Sequence, residues 1–248
     1  MTTVLLVRHG LTHLTGPVLA GWTPGLHLDA RGVAQAARLA ERLRPLTFAA
    51  IVTSPLERCL DTVAPIAQGR ATDITIDQRL GEARYGDWTG QEIKKLVRDP
   101  LWKVVQTQPS AVTFPNGEAM VDVQHRALAA IRDWNQRLGP EATWLVCSHA
   151  DVIKGIVADA LGLHLDQFQR ISISPASLTV IRYAGLRPGV VRVNDVGGNV
   201  DDLLPPQRRQ RRRGPANGPA DAAAGAGSAT EATADATPDG FGGTSAHR

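Results

Sequence analysis

The stretch Val4-Leu5-Leu6-Val7-Arg8-His9-Gly10 decides the fold. Four apolar residues in succession, with valine at both ends, fit a strand buried on both faces, and such strands belong to parallel sheets covered by helices. Arg8 and His9 cannot continue that burial, so the polarity switches within one residue. Arginine offers a planar fork of donors for phosphate oxygens, and histidine an imidazole nitrogen able to attack phosphorus. Gly10 lets the backbone turn and approach a ligand closely.

The same kind of ending occurs twice more. Ala49 to Thr53 is a short apolar strand that runs into Ser54-Pro55-Leu56-Glu57-Arg58. Ser54 as N-cap, Pro55 at the first helical position and Glu57 three residues after the serine predict a capping box. Arg58 then falls in the first turn of a helix running to about Ala67, where free N–H groups favour an anion. Trp144 to Cys147 forms another apolar strand, ending in Ser148-His149-Ala150-Asp151 ahead of a helix from about Val152 to Leu161. In open α/β sheets ligands bind beyond the carboxyl ends of the strands. Three strands therefore deliver Arg8 with His9, Arg58, and His149 to one edge.

The intervening chain fits a mixed, mostly parallel β-sheet sandwiched between helices. Asp29 can cap a helix from Ala30 to Leu43, with Val33, Ala36, Ala37, Ala40 and Leu43 at helical spacing. Ile74 to Ile76 predicts a strand, and Tyr85 to Gly90 a glycine-punctuated loop. Glu92 to Val97 fits a short helix, Pro109 to Gly117 a loop and Glu118 to Leu138 a long helix. Leu178 to Tyr183 and Val190 to Val193 read as a final hairpin.

Composition sets the outer limits. The 27 Lys plus Arg and 24 Asp plus Glu give a formal charge of +3. Six arginines and four acidic residues follow Pro206, which leaves +1 for residues 1–205 and no case for nucleic-acid binding by the folded part. The start lacks the apolar core of a signal peptide, and no apolar run reaches the ~20 residues of a membrane span. A cytoplasmic protein with Cys59 and Cys147 as free thiols is expected. Gln207 to Arg213 contains only Gln and Arg, and Phe241 is the sole large apolar residue beyond it. A catalytic domain over 1–204 followed by a disordered tail over 205–248 is therefore expected.

Together these residues resemble the histidine phosphatase superfamily, also called phosphoglycerate mutase-like, near its small phosphatase and phosphomutase branches. The resemblance rests on Arg8-His9-Gly10, Gly21-Trp22, Leu28 with Gly32, and Ser54-Pro55-Leu56 with Arg58 and Thr62. It continues through Leu80 with Glu82, Gly86-Asp87-Trp88, Phe114-Pro115 with Gly117-Glu118, and Ser148-His149. It implies His9 as a nucleophile that becomes phosphorylated, Arg8 and Arg58 as clamps on the phosphoryl group, His149 as the second pocket histidine and Glu82 as the proton donor. Gly10, Thr12, Thr15, Gly21, Trp22 and Ala150 are implied as substrate contacts. No metal or cofactor is implied; the partner is a small phosphorylated substrate, and a homodimer is compatible with the pattern.

The departures fall on the substrate rim. Thr15 stands where asparagine is common, Leu11 where Glu or Gln is common, Asp29 where Thr is common, and Ala150-Asp151 where a Gly-rich pair is common. Asp151 beside the pocket disfavours a second anionic group. The short segment between Glu82 and His149 favours hydrolysis at an open site, with a phosphomutase as the alternative and a noncatalytic phospho-ligand binder as a third reading. The seven histidines form no helical His-x-x-x-His pair with a supporting acid, which argues against a zinc enzyme. No Gly-x-x-x-x-Gly-Lys loop follows a strand, which argues against a nucleotide kinase.

Overall fold

Strand β1, Thr2–Arg8, lies inside a six-stranded sheet of order β3-β2-β4-β1-β5-β6 in a computed structural model that describes residues 1–198 and 200. The described residues belong to one compact unit, Met1–Pro205. The expected disordered tail lies outside the described residues.

β1 runs parallel to β4 (Thr143–Ser148), and β2 (Ile51–Thr53) runs parallel to both β4 and β3 (Ile74–Ile76). β5 (Leu178–Tyr183) and β6 (Pro188–Asp195) form the expected antiparallel hairpin, which adds to the free side of β1. The sheet is thus mixed and mostly parallel. Register sets the site: Arg8 pairs with Ser148 and Thr53 with Cys147, so the strand ends of β1, β2 and β4 are level. The His9 N–H then donates to the Ser148 carbonyl at 3.0 Å and the Ser54 N–H to the Cys147 carbonyl at 2.9 Å.

Alternation along β1 supplies both faces of the core. Leu5 and Val7 pack with Leu39 and Leu43 of α1 (Ala30–Leu43) and Cys59, Val63 and Ile66 of α2 (Glu57–Ala67). Val4 and Leu6 belong to the opposite cluster, with Ala127 and Ile131 of α5 (Met120–Leu138) and Ile153 and Ile156 of α6 (Ala150–Ala160). All four β1 residues are fully buried, each contributing roughly 1.5–3 kcal/mol of burial free energy. Cys59 and Cys147 are buried free thiols.

α1 has the expected limits, with Asp29 accepting from the Gly32 N–H at 2.9 Å. Its buried stripe is Gly32, Ala36, Leu39 and Leu43, whereas Val33 is exposed; the apolar face is rotated from the expected one because Gly32 sits against the loop after β1. A Cβ on Gly32 would lie 2.0 Å from the Leu11 carbonyl oxygen, so only glycine allows this approach. The predicted capping box at α2 is absent. Leu56 is the N-cap, Ser54 Oγ serves the His149 ring and the Leu56 N–H, and Glu57 Oε1 accepts from the Gly25 N–H at 3.0 Å.

The short helix α3 is Ile93–Leu96. Helix α4, Pro100–Thr107, lies where no element was expected; Asp99 caps it through the Leu101 N–H. A single helical turn, Pro109–Ala111, interrupts the expected loop. α5 starts at Met120 rather than Glu118 because the Glu118 N–H donates to the Arg84 carbonyl and its carboxylate pairs with Arg126. α6 begins and ends slightly earlier than expected, and β6 is longer at both ends. No helix among the described residues is long and apolar enough to cross a membrane.

Candidate active site

β1 ends at Arg8, and the chain leaves the sheet at His9, whose ring is nearly buried. His9 Nδ1 lies 2.7 Å from the Gly10 carbonyl oxygen. A carbonyl only accepts, so Nδ1 carries the proton and Nε2 keeps its lone pair. The Gly10 N–H donates to Thr62 Oγ1 on α2 at 3.0 Å, which fixes the turn. Burial, then Arg58 and Arg8, hold the His9 imidazole well below its ordinary range, so it is neutral and nucleophilic.

Arg58 comes from the first turn of α2 and is almost fully buried. Its Nη2 donates to the Gly21 carbonyl at 2.8 Å and to His149 Nδ1 at 3.2 Å. Nε and Nη1 of Arg58 and Nε of Arg8 are buried with no protein acceptor. Unpaired buried donors are costly, and here they belong to two guanidinium groups around one cavity. Arg8 is anchored by Nη1 donation to the Ile173 carbonyl at 2.6 Å. Gly21 has a positive φ of 50°, which turns its carbonyl toward Arg58 at no side-chain cost.

His149 follows β4 and is wholly buried, its ring centroid 5.2 Å from that of His9. With Nδ1 accepting from Arg58, the proton sits on Nε2 and is donated to Ser54 Oγ at 2.7 Å. Burial and Arg58 keep this imidazole well below its ordinary range as well. Glu82 Oε2 lies 3.8 Å from His149 Nδ1, and Glu82 Oε1 accepts from the Ala83 N–H at 3.0 Å. Burial, followed by the nearby Asp151 charge, raises the Glu82 carboxyl to about 7 against the pull of Arg58 and Arg8. It is therefore an acid that can hold its proton near neutral pH.

The cavity at these groups encloses about 160 Å³. Arg8, His9, Thr12, Thr15, Gly21, Arg58, Glu82 and Ala150 line it; Gly10, Trp22 and His149 do not. Thr12 and Thr15 bond through their hydroxyls at 3.0 Å. The Trp22 indole N–H donates to the Glu82 carbonyl at 2.6 Å, and its ring stacks under Arg84, so Trp22 buttresses the acid from behind. Ala150 opens α6 at the cavity rim.

Two residues escaped sequence reasoning. Tyr85 lines the cavity three residues after Glu82, and Arg126 of α5 binds the carbonyls of Arg79, Gly81 and Glu82 at 2.6, 2.8 and 3.0 Å. Tyr85 is one of only two tyrosines and sits in the glycine-punctuated loop, which was a usable signal. Arg126 had none, because the three carbonyls it binds are more than forty positions away. A second cavity of about 190 Å³ adjoins the first through Leu19, Tyr85 and Asp151, walled by Trp88, Trp102 and Phe114 with Lys154 and Gln169.

A family model described as histidine phosphatase superfamily (branch 1) matches residues 4–196. The chain belongs to the histidine phosphatase superfamily. Within it, a bifunctional protein of Mycobacterium tuberculosis is 34% identical over 204 residues, covering 79% of this chain and 54% of that protein. The chain thus spans about half the length of that relative. GpmB of Salmonella choleraesuis, whose name is that of a phosphoglycerate mutase, is 32% identical over 190 residues, covering 74% of this chain and 86% of that one. Among solved structures, Bacillus stearothermophilus YhfR superposes with a TM-score of 0.74 at 31% identity, covering 79% of this chain and 98% of that one.

Proposed function

We propose that this histidine phosphatase superfamily member is a phosphomonoesterase that hydrolyses small phosphorylated molecules through a phosphohistidine on His9. The observation that carries this reading is the pairing of a free His9 Nε2 with buried, unpaired donors of Arg58 and Arg8 around one small cavity. His9 Nε2 attacks phosphorus in line as the P–O ester bond breaks, and Glu82 gives its proton to the leaving oxygen. Arg8 and Arg58 balance charge on the equatorial oxygens, with the neutral His149 orienting Arg58. Water then attacks the phosphohistidine, Glu82 takes its proton, and inorganic phosphate leaves. No step needs a cofactor.

The leaving group fits the adjoining cavity with its aromatic walls. The phosphomutase reading has the GpmB likeness in its favour. A mutase must also accommodate a second phosphoryl group; the small cavity and the Asp151 carboxylate on its rim favour hydrolysis. The reading includes a cytoplasmic location and, for the folded domain over 1–204, no nucleic-acid partner.

Rapid quenching of the full chain with ³²P-labelled phenyl phosphate tests the proposal. Acid-labile, base-stable label on protein is expected, to be lost in His9→Ala. Turnover undiminished in His9→Ala would overturn it.

A further inference from the structure

Tyr85 and Asp151 form a fixed pair on the wall of the cavity that holds Glu82. The Tyr85 hydroxyl donates to Asp151 Oδ2 at 2.9 Å. Tyr85 is itself buried, its ring edge-on to Phe114 at 5.0 Å, so the hydroxyl is held against Asp151 with the Glu82 carboxyl also beside it. Asp151 lies in the first turn of α6, two residues after His149, where the helix terminus favours an anion. Its other oxygen lies 3.4 Å from Lys154 Nζ, which Gln169 Oε1 holds at 3.0 Å. The carboxylate is therefore held at both oxygens, by Tyr85 and by Lys154 of its own helix.

We propose that Asp151, fixed by Tyr85 and Lys154, is a positioning residue for the proton donor: its negative charge keeps Glu82 in the acid form that cleavage of an unactivated phosphate ester needs. The proposal rests on the acid role of Glu82 set out above. It also assigns a use to the departure at Ala150-Asp151, where the charge would otherwise be a liability at the mouth of a phosphate site.

The charges facing Glu82 come from each element packed around it. Arg8 and His9 stand at the end of β1, and Arg58 on α2. His149 and Asp151 stand at the start of α6, and Tyr85 on the loop that Glu82 opens. Arg126 of α5 binds the Glu82 carbonyl rather than its carboxyl. Arg58 and Arg8 pull Glu82 toward ionisation, whereas Asp151 pushes it back and comes second only to burial in doing so. Among these groups Asp151 is the anion opposing the two guanidiniums, since both imidazoles are held neutral.

The experiment compares wild type, Asp151→Asn, Asp151→Glu and Glu82→Gln of the full chain. The readouts are pH profiles of kcat with ethyl phosphate and 4-nitrophenyl phosphate, and carboxyl ¹³C NMR titration of Glu82. In Asp151→Asn the Glu82 carboxyl should titrate roughly one unit lower. The alkaline limb for ethyl phosphate should move down with it, while 4-nitrophenyl phosphate, whose leaving group needs little protonation, keeps its profile. Asp151→Glu, which restores the charge, should return both readouts toward wild type. If Glu82→Gln abolishes the limb but Asp151→Asn leaves the limb and the NMR titration in place, the proposal fails and the acid role stands. If Glu82→Gln leaves the limb in place, both fall.

Discussion

Ser54 Oγ lies 2.7 Å from Nε2 of His149, at the far side of the ring from Arg58. The hydroxyl fixes which nitrogen of His149 is protonated, and so allows Nδ1 to accept from the guanidinium. In Ser54→Ala a wholly buried ring N–H loses its partner, at a cost of about 1–3 kcal/mol. Urea denaturation should show that loss, with kcat reduced because Arg58 is no longer held by an oriented acceptor. Unchanged stability would show that Cys59 Sγ, 3.5 Å from Nε2, suffices as the ring's partner.

Arg58→Gln should raise the titration of His9. Burial depresses that imidazole first and Arg58 second, so removing the cation moves the value up, toward but not beyond its ordinary range. If His9 is the nucleophile it must be neutral, so the acid limb of kcat/KM should shift to higher pH, alongside a large loss in kcat. Proton NMR of the His9 ring against pH checks the direction without relying on turnover.

Glu82 makes stability depend on pH. Its folded value of about 7 lies above its ordinary 4.5, so the folded state holds a proton that the unfolded chain has released. The contribution is therefore fully present below pH 4.5 and is lost as pH rises through 7. Relative to Glu82→Gln, wild type should lose on the order of 3 kcal/mol across that window. Denaturation of both proteins at pH 4.5 and pH 8 measures it; a constant difference would contradict the raised value.

Gly32→Ala should disturb the site from outside it. The added methyl would fall 2.0 Å from the Leu11 carbonyl oxygen, and Gly10 is also tight, its Cβ position 2.8 Å from the Gly32 oxygen. The backbone must shift, at about 1–3 kcal/mol of overpacking, and the loop carrying His9 shifts with it. Melting temperature and kcat should fall together.

The three strand ends were legible because each apolar run gives way to side chains able to handle phosphate: at once in Arg8-His9, and within a few residues at His149 and Arg58. Asp29 and the hairpin were legible from local chemistry. The capping box at Ser54 was misread because the hydroxyl is spent on His149, 95 positions away, and Glu57 on Gly25. Val33 was misassigned and Leu39 passed over because the face of α1 is set by the Gly32 contact with another loop rather than by its own periodicity. Arg126 shows the limit most plainly: its three carbonyl partners are unremarkable in sequence and are brought together only by the packed α5.

The order of strands across the sheet also bears on synthesis. The strand that leads into His9 is made first, yet its two neighbours are residues 143–148 and 178–183. At typical elongation rates roughly 10–35 seconds separate the appearance of Val4-Leu5-Leu6-Val7 from that of its second partner. Until residues 143–148 have been made, a nascent chain presents an apolar strand whose sheet neighbours do not yet exist, so it is during translation, before any site exists, that this strand is most open to wrong pairing.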